Sequence, residues 1–274
     1  MQKTALKTSL DRHLDDLYLR YNRREFVHPD PLAFLYPYED VRDREIVGLI
    51  ASALAYGRVN QIMKSVGLVL ERMPSPHAFL RQASLRSLEK TFQGFKHRFT
   101  TGEELAALLF GVKRAVERHG SLSSCFRLGL HDEDDTVLEA LAAFVDELST
   151  LANRSLSFLL PSPTKGSACK RLHLYLRWMV RRDAVDPGGW KSVDPSKLVV
   201  PLDTHMYRIG LALGLTGCKQ ANIRAALEVT AGFRTIAPND PVRYDFALTR
   251  LGIRTDTDLN AFLKTCGVKG HACL

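Results

Sequence analysis

Apolar residues recur at steps of three and four along almost every long segment of this chain, and nowhere alternate with a period of two over a useful length. A period near 3.6 gives a helix one apolar stripe, whereas a half-buried strand needs strict alternation. Residues 5–21 place Leu6, Leu10, Leu14, Leu17 and Tyr18 on such steps. REIVGLIASALAYG (44–57) predicts a buried helix ending at Gly57. A second helix starts just after it, near NQIMKSVGLVLERM, and stops at Pro74 and Pro76. TTGEELAALLFGVKRAVERHG (100–120) opens with Thr100, Thr101 and a glutamate pair and closes at Gly120, the signals of a helix start and stop. Residues 134–152 form a further alanine–leucine helix, and Pro29, Pro31 and Pro37 mark an extended loop. Residues 198–201 make one short extended piece. The expectation is an all-α protein of ten or more helices without a repeat.

The 274 residues suffice for one large domain or two modest ones. No apolar run is long enough for a membrane-spanning helix, and the charged N-terminus lacks the apolar core of a secretory signal. Five scattered cysteines (Cys125, Cys169, Cys218, Cys266, Cys273) fit a reducing compartment better than a disulfide framework, so a cytoplasmic location is expected. Among His28, Asp30, Glu39 and Asp40 no spacing resembles a ligand set, so neither a metal nor another cofactor is expected.

Lys and Arg total 38 against 30 Asp and Glu, a formal net charge of +8, which favours a polyanionic partner such as nucleic acid. Lys165, Lys170, Arg171, Arg177, Arg181 and Arg182 fall within 18 residues. They lie in SFLLPSPTKGSACKRLHLYLRWMVRR (157–182), where a proline-rich turn leads through Gly166 into a helix. Leu172, Tyr175, Leu176 and Met179 share one face of that helix; Lys170, His173, Arg177 and Arg181 share another. A helix, a glycine-containing turn and a second helix can direct free N–H groups at a phosphate. A helical hairpin with a merely polar surface would use the same residues. In VVPLDTHMYRIGLALGL (199–215), Asp203 stands behind Pro201 at the mouth of a helix. Aspartate is a favoured N-cap there, worth about 1 kcal/mol, and the same carboxylate could do chemistry.

Taken together these stretches resemble a known family. VPLDTHMYRIGLALGL is similar to the Val-Pro-Val-Asp-Thr-His signature, ending in Leu-Gly-Leu, of the helix-hairpin-helix base-excision DNA glycosylases, and GSACK (166–170) resembles the Gly-x-Gly-x-Lys hairpin of their bifunctional members. LIASALAYGRVNQI (49–62) and DPVRYDFALTRLGI (240–253) stand where that family has its base-gap helix junction and its returning terminal helix. The wider arrangement looks like an uncharacterised bacterial family related to these enzymes. The resemblance implies an all-α, glycosylase-like fold of two helical lobes with a cleft between them. One lobe would span about 40–160, the other 1–39 with 161–274. It makes Lys170 the nucleophile that attacks sugar C1′ and Asp203 the carboxylate that supports it. It also places Lys165, Gly166, Ser167, Ala168, Arg171, His205, Arg58 and Asn60 against DNA, although His205 could equally pack beside the cap. Gln61 could join Arg58 and Asn60 in the gap left by an extruded base; a polar turn between two helices would use the same three residues.

Two departures carry weight. Ala168 replaces the hairpin's second glycine, which loosens backbone approach at that point. The 33-residue gap from Lys170 to Asp203 holds a loop insertion, DAVDPGGWKSVDPSK; a similarly long gap marks the archaeal 8-oxoguanine glycosylase branch and inclines the substrate toward oxidised purine. With only Cys266 and Cys273 near the C-terminus, no iron–sulfur cluster is expected.

A lysine attacks only when neutral, and its reference pKa is about 10.4, so an apolar setting and a cationic neighbour such as Arg171 would help it. A solvated phosphate-binding lysine is the plain alternative. Asp203 could stabilise positive charge developing on the deoxyribose or take the amine's proton, while one of its oxygens caps the helix. Trp178, Trp190 and Tyr244 could stack on a flipped base, though aromatics at helical spacing more often fill a core. The expected activity is that of a DNA repair glycosylase with or without AP-lyase action, a monomer on damaged double-stranded DNA. The alternatives are a non-catalytic helix-hairpin-helix nucleic-acid-binding protein and a glycosylase-like fold acting on RNA or a nucleotide.

Overall fold

Capping chemistry sets the helix boundaries. In the computed structural model, which describes residues 9–253 and 258–266, Thr101 and Glu104 form the expected reciprocal capping box, 3.3 Å and 2.7 Å, and Gly120 ends that helix in a left-handed turn at φ +86°. Residues 5–8 of the first predicted helix and Cys273 lie outside the described residues.

In chain order the helices are α1 (Ser9–Tyr21), α2 (Val41–Ala53), α3 (Val59–Leu70), α4 (Pro76–Gln82), α5 (Leu85–Thr91), α6 (Gly102–His119) and α7 (Leu122–Arg127). There follow α8 (Leu138–Ala152), α9 (Lys170–Val180), α10 (Thr204–Ala212), α11 (Ile223–Ile236), α12 (Asp245–Ile253) and α13 (Leu259–Thr265). The all-α expectation is met. Between α5 and α6 a two-residue pair, β1 (Lys96–His97) and β2 (Thr100–Thr101), runs antiparallel in the register His97 to Thr100. Two residues a side are too few to leave a period in the sequence.

The helix expected over 44–57 stops at Ala53, and the chain turns through Gly57, at φ +95°, before α3 begins. A larger difference concerns the hairpin. No α-helix directly precedes its turn: α8 ends at Ala152, and only the short 3-10 segment Pro163–Lys165 leads into Gly166. Pro161 and Pro163 withhold the amide hydrogens that a continuous helix would need.

α2 is buried on every face from Glu45 to Ala53 and packs against α9 and the 3-10 segment Pro31–Leu35. α6 packs on α8, and α1 on α12. One continuous set of buried side chains joins Leu49 and Ile50 of α2, Phe144 of α8, Tyr175 and Trp178 of α9, and Phe246 of α12. The buried acid of α2, Glu45, is fully spoken for. It accepts from the N–H groups of Leu122 (2.8 Å) and Ser123 (3.1 Å) at the start of α7 and from Trp190 Nε1 (2.9 Å).

The basic run is mostly internal. Arg177 and Arg181 are buried: Arg177 pairs with Asp186 at 3.2 Å and with Asp245, and Arg181 with Asp183 (2.8 Å), Asp240 (2.9 Å) and Asp186. The inserted loop supplies Asp183, Asp186 and the buried Trp190, so it is tied into the core. A buried charge must be paired, and here helix and loop pair it. His173 is buried too, with neither ring nitrogen hydrogen-bonded to any described residue, and Trp178, Trp190 and Tyr244 are core side chains.

Candidate active site

The turn before α9 is built from two left-handed residues. Gly166 has φ +78° and closes the 3-10 segment; Cys169, at φ +45°, stands at the N-cap of α9 without a side-chain cap bond. A non-glycine residue in that region is strained. Its neighbours hold it: Cys169 Sγ donates to the Pro161 carbonyl at 3.2 Å, and the Ile223 N–H, at the start of α11, donates to the Gly166 carbonyl at 3.2 Å. The consequence is that Lys170 becomes the first residue of α9 and its side chain leaves the helix at its mouth.

Asp203 arrives from the other direction. Val199, Val200 and Leu202 are buried and carry the chain to the start of α10, where Asp203 is the N-cap in extended backbone. Its Oδ1 accepts from the Met206 N–H at 2.8 Å, and its Oδ2 lies 3.0 Å from Lys170 Nζ. The two side chains keep 37% and 30% of their surface exposed, so the pair is reachable from solvent. Burial works to raise the Asp203 pKa, but the Lys170 ammonium and the Met206 N–H together hold it below the usual carboxylate value. Asp203 is therefore charged at neutral pH.

The pair opens on a pocket of about 1000 Å³, at the large end for small-molecule sites. One wall is the α2–α3 turn, with Tyr56, Gly57 and Val59; the other is the turn before α9 with the start of α10. Asp30, Arg177, Asp245 and Arg250 also line it. Asp30 caps the 3-10 segment after it through the Leu32 N–H (3.0 Å) and pairs with Arg250 at 3.2 Å. No group of three or more metal-capable side chains occurs among the described residues.

The other expected DNA residues divide. Ser167, Ala168 and Arg171 line the pocket; Lys165, Gly166, Arg58 and Asn60 are exposed outside its lining, with Arg58 and Asn60 flanking the lining residue Val59. Ala168 is buried. Arg171 does not hold its charge out for a phosphate. Its guanidinium donates to the carbonyls of Ala53 (2.6 Å) and Phe158 and lies over the rings of Tyr56 (5.0 Å) and Phe158 (5.6 Å). The last carbonyls of α2 have no partner within the helix, and a guanidinium satisfies one of them. Arg171 thus braces one wall of the pocket against the other. His205 is half-buried beside Asp203, and its Nε2 has no hydrogen-bond partner among the described residues.

Asp245 was not singled out by the sequence. It is the first residue of α12, buried, and pairs with Arg177, while its Oδ1 has no hydrogen-bond partner among the described residues. Burial pushes its pKa up against the pull of Arg177. The only sequence signal was an acid opening an apolar helix, which capping explains as well.

The family model described as "Protein of unknown function (DUF2400)" matches residues 30–254, a span that contains Lys170, Asp203 and Asp245. The chain belongs to that family. No curated protein and no solved structure matches this DUF2400 chain.

Proposed function

We propose that this chain is a base-excision DNA glycosylase with AP-lyase action, in which Lys170 is the nucleophile and Asp203 its supporting carboxylate. The observation that carries the reading is the 3.0 Å approach of Lys170 Nζ to Asp203 Oδ2 at the mouth of a pocket large enough for a nucleoside. In this reading the pocket is part of a cleft between the helical lobes 40–160 and 1–39 with 161–274, and it takes the extruded nucleotide. Oxidised purine is the proposed base.

Asp203 takes a proton from the ammonium and passes it to the departing base, and the carboxylate so regenerated stabilises the cationic sugar as the glycosidic bond breaks. The Nζ–C1′ bond forms, the electron pair of the C1′–N bond leaves with the base, and the base takes up a proton. The sugar ring opens as the C1′–O4′ bond breaks and a second amine proton passes to O4′, which gives a Schiff base. β-Elimination of the 3′ phosphate then nicks the strand.

The test is borohydride trapping on duplex oligonucleotides carrying a panel of lesions and a bare abasic site. A covalent protein–DNA adduct on at least one of them is expected. Absence of any adduct, together with absence of released base, would leave the non-catalytic binding module in its place.

A further inference from the structure

Two large aromatic rings stand in solvent beside this pocket. Phe99 is 68% exposed and Phe158, which lines the pocket, is 41% exposed. They meet edge to face with centroids 5.9 Å apart, and Phe158 meets Tyr56 in the same way at 5.3 Å. Phe99 and Arg98 are the two residues at the tip of the β1–β2 hairpin. Arg98 is held left-handed, at φ +51°, a position that glycine would occupy without strain. Its guanidinium lies 5.4 Å from the centre of the Phe99 ring.

The tip is held firmly. His97 Nδ1 pairs with Ser65 Oγ (2.9 Å) and its Nε2 with the Tyr56 carbonyl (3.1 Å). Tyr56 Oη donates to the His97 carbonyl at 2.7 Å and lies 2.7 Å from Thr100 Oγ1. Gly57 lets the tip close in, since a Cβ there would lie 2.8 Å from Arg98 Cδ. Exposing a phenyl ring and straining the neighbouring backbone both work against stability. A buried anchor spent on presenting them indicates that the ring is placed for a partner.

We infer that Phe99 and Phe158, with Arg98 beside them, form a stacking platform for one unpaired nucleobase at the mouth of the pocket; this rests on the nucleic-acid reading above. Two perpendicular rings make a corner that takes one planar group, stacked on one ring and edge-on to the other. Two rings are far too small a patch for a stable protein interface, which buries roughly 800 Å² per partner. Arg98 and the exposed Arg58 on the neighbouring turn supply positive charge for the flanking phosphates. A platform of this kind takes any base, because every base has a flat face.

The experiment measures affinity by fluorescence anisotropy for the unchanged protein, Phe99→Ala, Phe158→Ala and Phe99→Trp. The probes are a single-stranded oligonucleotide, a duplex with one tetrahydrofuran abasic analogue, and the intact duplex. Phe99→Ala and Phe158→Ala are each expected to weaken binding to the first two by roughly 5- to 150-fold. Intact duplex and the salt slope should change little. Phe99→Trp should restore affinity, with its emission quenched by the stacked base. Equal binding by Phe99→Ala and the unchanged protein on the abasic duplex would overturn the platform while leaving the functional reading intact. Equal loss on all three probes would also overturn it. An unchanged protein that binds none of the probes would overturn both. Self-association in sedimentation that Phe99→Ala abolishes would make the patch an interface between copies and overturn the platform.

Discussion

Lys170 and Asp203, 33 residues apart in the chain, meet with Nζ 3.0 Å from Oδ2, while the other oxygen of the same aspartate caps α10 through the Met206 N–H at 2.8 Å. The capping and the catalytic explanations of Asp203 are thus not rivals, since each uses its own oxygen. The cap fixes the carboxylate's orientation, and the carboxylate fixes the lysine.

Asp203→Asn separates the two roles. Asparagine caps as well as aspartate, and the ion pair it removes is about one-third exposed, so the change in unfolding free energy should stay within ~1 kcal/mol. Base excision should fall by roughly 10²- to 10⁴-fold, because the charge facing the sugar is gone. Thermal unfolding and single-turnover excision measure the two effects. Full excision by Asp203→Asn would leave only the cap.

Lys165 is the natural competitor of Lys170, because it lies exposed on the turn five residues earlier. Lys170→Gln should bind lesion-containing duplex within a few-fold of the unchanged protein and form no borohydride adduct. Lys165→Gln should still form the adduct, with weaker binding and a salt slope shallower by about 0.9 for the lost phosphate contact. The opposite pattern in a gel of trapped complexes would assign the nucleophile to Lys165.

Asp245 lines the pocket and holds a buried acceptor oxygen, Oδ1, that has no partner among the described residues. Asp245→Asn keeps the side chain's shape and can still accept from Arg177, which also retains Asp186. The expected loss of stability is about 1–3 kcal/mol in urea unfolding. Excision should drop while affinity for undamaged duplex holds. If stability falls as expected but excision is unchanged, Asp245 serves the Arg177 pairing alone.

Burial pushes the His173 pKa from 6.5 down to about 4. Above pH 6.5 folded and unfolded states are both neutral at this ring. As the pH falls from 6.5 towards 4 only the unfolded state takes up the proton, and the protein should lose on the order of 3 kcal/mol from this group. His173→Leu removes two unsatisfied ring nitrogens and should raise stability at pH 7.5 by about 1 kcal/mol. Its advantage over the unchanged protein should widen as the pH falls from 6.5 to 4, as measured by chemical unfolding at each pH. A constant difference across that range would mean that the buried ring charges freely.

Much of the helical frame was written locally. The capping box at Thr101, the stop at Gly120 and the break at Pro74 and Pro76 depend on residues within one turn of each other, so a linear reading finds them. The Asp203 cap was legible for the same reason. The partnership of Lys170 with Asp203 came from resemblance, not from spacing, and the fold supplies the 3.0 Å approach.

What the chain alone could not decide is where each charge ends. Arg177 and Lys170 are both basic residues of one helix, at steps that suggest one polar face, yet Arg177 is buried against Asp186 and Asp245 while Lys170 meets Asp203 at the surface. Arg171, expected against DNA, also braces the end of α2 through the Ala53 carbonyl, a contact no local pattern announces. Asp245 gains its place only because α12 returns to the site, and Phe99 becomes a rim residue only because the hairpin tip is pinned to Tyr56. Periodicity and caps are local properties, set by backbone geometry over three or four residues. Whether a charge is solvated, paired or left facing a pocket depends on which distant segment arrives beside it, and only the assembled core determines that.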